Sequence, residues 1–492
     1  MANIRDQRIA ASLAADVPLG HGPLGGFMST SFATRARRPL AVALLVALVA
    51  PGMAWAQTAK EKALEARVAE LERQVQLLLS AQQTQQGQIA EAQGAITEVK
   101  TAQAATPAVP AGKQPIQSTT ITPASNTGSV FSYGGFIKLD AMVTDTSDGR
   151  ITDGSSGRLF YVPSTIPVGG QTADGGDPYT DFHAQFSRFW LSADNVTDDG
   201  NKFKAYVEMD FFGGGSNALA GNEIATNTYA VTLRQAYVSW NNWLAGQTWS
   251  NFQDTAALPD AVDFVGVTDG TTFVRQAQVR YTNGPWSFSA ENPQTTLQSY
   301  APYQTAAGLR TSTGDNVMPD LTARYNMKGD WGHFSVAALL RQFKALDDTA
   351  SGGAVSVSGK FNLGKNDDLR YMANYGSGIG RYMAFGLGSD VMQEANGDIE
   401  ALDGYGGFVA WRHVFSPKLR SNVMYSAAHF DNDPSLIGWG VTERSQSYHL
   451  NLIYSPFPKL DIGAELGWGQ RSLEDDREGD IKRLQTTVKY TF

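Results

Sequence analysis

The feature that most constrains this chain is an alternation of apolar and polar residues that recurs from residue 133 to the last residue. It is cleanest at the end, in Arg483–Phe492 (RLQTTVKYTF). There Leu484, Thr486, Val488, Tyr490 and Phe492 fall on one face, and Arg483, Gln485, Thr487, Lys489 and Thr491 on the other. A period of two describes a strand with one apolar and one polar face. Repeated at even spacing, it is the signature of a transmembrane β-barrel. The closing aromatic residue also resembles the signal by which outer-membrane barrels are recognised for insertion. Sixteen such segments are expected: 133–144, 182–195, 202–212, 229–240, 243–252, 272–282, 285–292, 319–327, 331–344, 354–363, 368–376, 403–415, 418–430, 444–455, 459–471 and 481–492.

The connections supply an independent check, because they alternate long and short. Asn241-Asn242, Asn283-Gly284, Gly364-Lys365-Asn366 and Ser416-Pro417 have turn chemistry, whereas the intervening links are long. Long loops at one end and short turns at the other are how outer-membrane barrels are built. An even strand number returns both chain ends to the side of the short turns. The expected fold is therefore all-β: a 16-stranded antiparallel transmembrane β-barrel with a water-filled lumen, preceded by an α-helical coiled coil.

Composition narrows the function. The chain has 492 residues, no cysteine, 50 glycines and a net charge of −9. The missing cysteines exclude disulfides and thiolate chemistry, and the acidic balance argues against nucleic acid as a partner. A single apolar run, Pro39–Ala50, follows Arg35, Arg37 and Arg38 and precedes Ala54-Trp55-Ala56. Basic, apolar and small-residue regions in that order describe a secretory signal cleaved before Gln57. Met28 is an alternative start, so 1–56 is read as an N-terminal extension and signal.

From 57 to 105 the chain is helix-forming. Leu64, Val68, Leu71, Val75, Leu78, Gln82, Gln85, Ile89, Ala92, Ile96 and Val99 keep an alternating four–three spacing. That is a heptad seam of about five repeats, hence a coiled-coil stalk in the periplasm. At about 1.5 Å per residue it would reach roughly 60–65 Å. Residues 106–130, rich in Pro, Ala and Thr, form a linker, and 131–492 the barrel.

The polar strand faces carry the functional information. Arg188, Arg324, Arg341, Arg370, Arg412 and Arg420 are flanked by outward-facing apolar residues and so point into the lumen; Arg280 and Lys138 join them. Carboxylates on the same faces are fewer. A basic lumen in a low-dielectric wall concentrates anions, and guanidinium groups pair bidentately with carboxylates. The bland alternative is that loop carboxylates neutralise these arginines. The connection 253–271 holds Asp254, Asp260, Asp263 and Phe264; folded inward, it would form a constriction whose acids face the arginines across an eyelet.

The stretches YGGFIKLDAM, LRQAYVSW with AGQTWSNF, LPDAVDFVG, and FVRQAQVRYT followed by ENP resemble the DcaP-like family of outer-membrane porins, over nearly the whole mature chain. The resemblance implies a homotrimer in outer-membrane lipid, a periplasmic coiled-coil stalk, and a pore favouring small anionic solutes of the dicarboxylate type. By position it places Arg234, Gln247, Trp249, Arg275 and Arg280 near the constriction. The stalk would reach peptidoglycan or periplasmic proteins. No cofactor or metal is expected. An enzyme is disfavoured: His183, His333, His413, His429 and His449 are scattered, and YGSGIGRY (375–382) lacks the strand-to-helix context of a nucleotide loop. A non-selective porin and an envelope-tethering protein remain the alternatives.

Overall fold

The computed structural model describes residues 129–169, 176–213, 227 and 229–492. The signal, the coiled coil and almost all of the linker lie outside these residues. The strands follow the alternation closely: β1 (Val130–Thr146), β2 (Tyr179–His183 continued by Arg188–Val196), β3 (Lys202–Gly213), β4 (Ala230–Trp240), β5 (Trp243–Trp249), β6 (Arg275–Asn283), β7 (Trp286–Glu291) and β8 (Asp320–Gly329). The second half comprises β9 (Gly332–Ala345), β10 (Asp348–Leu363), β11 (Asp367–Ser377), β12 (Asp403–Ser416), β13 (Leu419–Asp431), β14 (Thr442–Tyr454), β15 (Leu460–Leu473) and β16 (Glu478–Thr491). The two parts of β2 both pair along β1, and counting them as one strand gives sixteen. β16 pairs antiparallel with β1 from Phe136↔Thr491 to Thr146↔Ile481, which closes the barrel.

Burial is inverted relative to a water-soluble protein. On β16, Leu484, Val488 and Tyr490 are 43–47% exposed, whereas Arg483, Gln485 and Thr487 are at most 7% exposed. The apolar face meets lipid, and the polar face meets the lumen and what fills it. At the turn end, Asn241 and Gly284 take left-handed backbone (φ 49° and 58°), which lets two-residue turns match the twist of their hairpins.

The structure departs from the expected pattern in four places. The connection expected between 344 and 354 is a two-residue turn, Leu346-Asp347, because β9 and β10 stay paired up to Ala345↔Asp348. The segments expected at 243–252 and 272–282 are shorter: β5 ends at Trp249 and β6 begins at Arg275, where the chain leaves the wall. The face of Arg234 in LRQAYV, which the family position alone leaves open, is set by a bulge. Glu208 pairs with Gln235 and Met209 with Leu233, so Arg234 is the extra residue and turns inward. Finally, two long loops build a four-stranded sheet of their own from Thr295–Gln298, Arg310–Thr313, Val391–Gln393 and Ile399–Ala401. Nothing in their periodicity announced it.

Candidate functional site

The third loop, 250–274, runs inside the barrel and is held by strand after strand. Asp254 caps the short 3₁₀ turn Thr255–Ala257 by accepting from Ala256 N. The same carboxylate meets Arg324 Nη2 of β8 at 3.3 Å, His333 Nε2 of β9 at 2.8 Å and Ser358 Oγ of β10 at 3.0 Å. Further along, Arg370 of β11 donates to the Leu258 carbonyl. Arg420 of β13 pairs with Asp260, and Asn451 of β14 donates to the Asp260 carbonyl at 2.9 Å. Glu465 of β15 accepts from Val262 N at 2.8 Å, and Lys138 of β1 donates to the Val262 carbonyl at 3.1 Å. One loop thus touches the wall from β8 round to β1.

Asp263 makes no ion pair with an arginine, although Arg483 lines the same small cavity. Its two oxygens accept from Tyr161 N, Val265 N and Gly266 N, which fixes a turn inside the loop and ties in the first loop. Asp269 accepts from Tyr161 Oη at 2.9 Å and from Ser447 Oγ of β14. Burial pushes its carboxyl above the ordinary range, against the pull of these hydroxyl donors. At Gly270 the loop backbone presses on the wall: a Cβ there would stand 1.9 Å from Gly407 N. The acids expected to face arginines across a gap instead make contact directly: Asp254, Asp260 and Asp269 bond to wall strands, and Asp263 bonds within the loops.

Phe264 sits at the centre of an aromatic cluster. It stacks on Phe186 at 4.3 Å and meets Phe160 of the first loop edge-on at 5.3 Å. Phe160 also packs on Phe385 of the loop between β11 and β12, at 5.2 Å. The Arg234 guanidinium lies 5.1 Å above the Phe264 ring. Arg234 itself is 1% exposed and paired with Glu208 and Asp210; Arg188 stands 3.6 Å from Glu208. Phe160 and Phe385 had no sequence signal, since both lie in loops without periodicity.

Most of the expected lumen arginines are neutralised where they stand. Arg324 has Asp254, Arg370 and Arg412 share Asp368, and Arg420 has Asp260 and Asp461. Arg341 is fully buried between Asp320 and Asp390, and so clamps a loop to β9 rather than lining open lumen. Lys138 is sealed against Asp140. The exceptions matter. Arg280 of β6 bonds only neutral oxygens, Gln278 Oε1 at 2.9 Å and the Trp249 carbonyl. Lys360 of β10 stands on the lumenal face opposite Arg370 in register. Among the described residues neither has a carboxylate within ion-pair distance, and both are part-exposed.

Arg275 and Arg280 are five residues apart on one strand and so occupy opposite faces. Arg280 shares its face with Gln276 and Gln278, whereas Arg275 lies 4.8 Å over the Trp249 ring across the hairpin. Its guanidinium is within electrostatic reach of Arg234 and Asp210. Gln247 donates to the Leu233 and Arg234 carbonyls, closing the gap where β5 stops pairing with β4. The histidines serve structure: His183 bonds the Leu159 carbonyl, His413 pairs with Asp367, and His449 with Glu465. Among the described residues no group of three His, Asp or Glu side chains is placed to hold a metal.

A closed sixteen-stranded barrel, lipid-facing outside and charged within, its third loop folded into the lumen, defines an outer-membrane channel of the porin class. The model of the DcaP outer membrane protein family matches residues 51–492, and the chain belongs to that family. In structure it is similar to the outer membrane channel DcaP of Acinetobacter baumannii: 26% identity, TM-score 0.60, covering 74% of this chain and 98% of that one. A loop-deletion form of OmpT, an outer membrane protein of Vibrio cholerae, matches with 11% identity and a TM-score of 0.45, covering 74% of this chain and 100% of that one. No curated protein matches the chain.

Proposed function

We propose that this channel passes small hydrophilic solutes with a preference for organic anions such as dicarboxylates. The observation that carries the reading is an asymmetry among unpaired charges. Three carboxylates inside the barrel that make no ion pair, Asp263, Asp269 and Glu291, are at most 5% exposed and bound by protein donors. Two lumenal cations with no carboxylate at ion-pair distance, Arg280 and Lys360, remain part-exposed, Arg280 with the buried Glu291 in electrostatic reach. A passing solute therefore meets a field set by the cations, and a guanidinium offers the planar fork that a carboxylate matches. The neutralisation of Arg324, Arg370, Arg412 and Arg420 favours a second reading, a pore with no preference.

Reversal potential in a planar bilayer under a salt gradient separates the two. Anion preference that weakens in Arg280→Gln and Lys360→Gln supports the first reading. No preference in the wild type supports the second, and no conductance at all would move the chain to a tethering role.

The same reading includes a homotrimer. A strand needs about 9–11 residues to cross the hydrocarbon, yet β5 has 7 and β7 has 6. Their sector nonetheless exposes Val238, Trp240, Trp243, Val279 and Phe288, each 49–58%. A low apolar wall is matched by another protein surface better than by lipid, and a second copy of the chain supplies one. The stalk at 57–105 would then face peptidoglycan or a periplasmic protein; its deletion should leave conductance intact.

A further inference from the structure

The face of the barrel opposite that low sector carries a recess on the outside of the wall. Strands β11 to β15 have 11 to 14 residues, enough to cross the hydrocarbon with length to spare. In the sixteen-strand round β13 stands diametrically across from β5, so copies meeting at the short strands leave this face to the bilayer.

Its outward residues fall in rows set by the register. Trp411, Val423, Leu450 and Leu466 form an apolar row, each 46–58% exposed. Toward the loop end comes Val409, Tyr425, Tyr448 and Trp468, with rings 4.7 and 5.6 Å apart. The row after that is Ala373, Gly407, Ala427, Gln446 and Gln470. The last is Tyr405, His429, Arg444, Ser472 and Glu478. Aromatic residues at this height mark the edge of the hydrocarbon, so the two upper rows lie at headgroup level.

Three consecutive strands carry nothing larger than a methyl in the third row. The result is a hollow of about 720 Å³ with Tyr405 and Tyr425 as its walls and Gln446, Gln470 and Arg444 at its end. Its polar groups form one chain. Tyr425 Oη donates to Gln446 Oε1 at 3.3 Å, Gln446 to Gln470 Oε1 at 3.0 Å, and Gln470 to Glu478 Oε2 at 3.0 Å. Arg444 Nη2 joins Glu478 at 3.0 Å.

Such a set suits a ring of hydroxyls. Each hydroxyl both donates and accepts, and amides beside an Arg–Glu pair offer both roles at once; aromatic walls cover the C–H face of a sugar. A bare phosphate fits poorly, because Glu478 already occupies Arg444 and Glu443 stands beside it on the rim. We propose that this hollow binds the saccharide headgroup of an outer-leaflet glycolipid, whose acyl chains lie on the apolar row below. It is independent of what the pore transports.

Native mass spectrometry of the delipidated protein tests it, with rough lipopolysaccharide or phosphatidylglycerol added back at equal concentration. Retention of about one lipopolysaccharide per subunit after phosphatidylglycerol has dissociated is expected. Ala427→Trp, which fills the hollow, should lower that retention at least tenfold with single-channel conductance unchanged. Should that variant fail to form channels, the pair Gln446→Ala and Gln470→Ala, with a several-fold loss expected, decides instead. Equal retention of both lipids, or full lipopolysaccharide retention by the variants, overturns the proposal. So does near-complete disulfide crosslinking between subunits through Ala427→Cys, which would show that protein covers this face.

Discussion

Replacing Asp254 by Asn tests whether the third loop sets the lumen's charge. The carboxylate neutralises Arg324, whose side chain keeps 15% of its exposure. Asparagine preserves the shape and one acceptor for His333 or Ser358, but leaves Arg324 uncompensated. For a passing monovalent anion about 6 Å away, an effective dielectric constant between about 20 and 80 gives about 0.7–2.8 kcal/mol of added attraction. At the weak end, at low salt before screening reduces it, that is about a threefold rise in local anion concentration. The wild-type and variant channels would be compared by reversal potential under the same KCl gradient, with a low-salt series added. The chloride-to-potassium permeability ratio should rise about threefold and fall back as salt increases. An unchanged ratio would refute the assignment of Asp254 as the neutralising partner of Arg324. A shift toward cations would refute the view that the lumen field is set by its unpaired basic groups.

Further outcomes follow from other contacts. Arg341→Met leaves Asp390 buried with no ion-pair partner and Asp320 with Arg381 alone, at 3.4 Å; removing one partner of a buried ion pair costs about 3–5 kcal/mol, which heat-dependent loss of the compact band on gels should show as a lower midpoint. Gly270→Ala places a Cβ against the Gly407 backbone, so the third loop must shift, and single-channel conductance should change with the barrel's thermal midpoint within a few degrees of wild type. Leu346→Gly removes a left-handed leucine (φ 56°) from the β9–β10 turn and should raise stability by about 1 kcal/mol in urea refolding into detergent micelles, since such a residue costs roughly 1–2 kcal/mol.

What the alternation could not reach is instructive. The period-two pattern located every wall strand, missing only the early start of β10 at Asp348 by more than about three residues, because a lipid-facing side and a lumen-facing side impose it on each crossing. It failed at β4, where the extra residue Arg234 in the bulge resets the phase. It also could not separate Arg275 from Arg280 by their shared family stretch, although their odd spacing already places them on opposite faces. Phe160, Tyr161, Tyr382 and Phe385 were invisible for a different reason. Loops have no period, and these residues matter only because three loops converge inside the barrel.

By itself the sequence determined the class of fold, the sixteen crossings and the arginines of the polar faces. Each of these follows from local periodicity acting against a bilayer. Tertiary structure alone decided which of those arginines keep an unbalanced charge. Asp254, Asp260 and Asp390 come from loops, and only the folded loops bring them to Arg324, Arg420 and Arg341; Asp320 reaches Arg341 through strand pairing, and Asp368 already stands two residues from Arg370 on one face of β11. Charge along a strand is a property of composition; charge felt in a lumen depends on distance, and distance is settled by the fold.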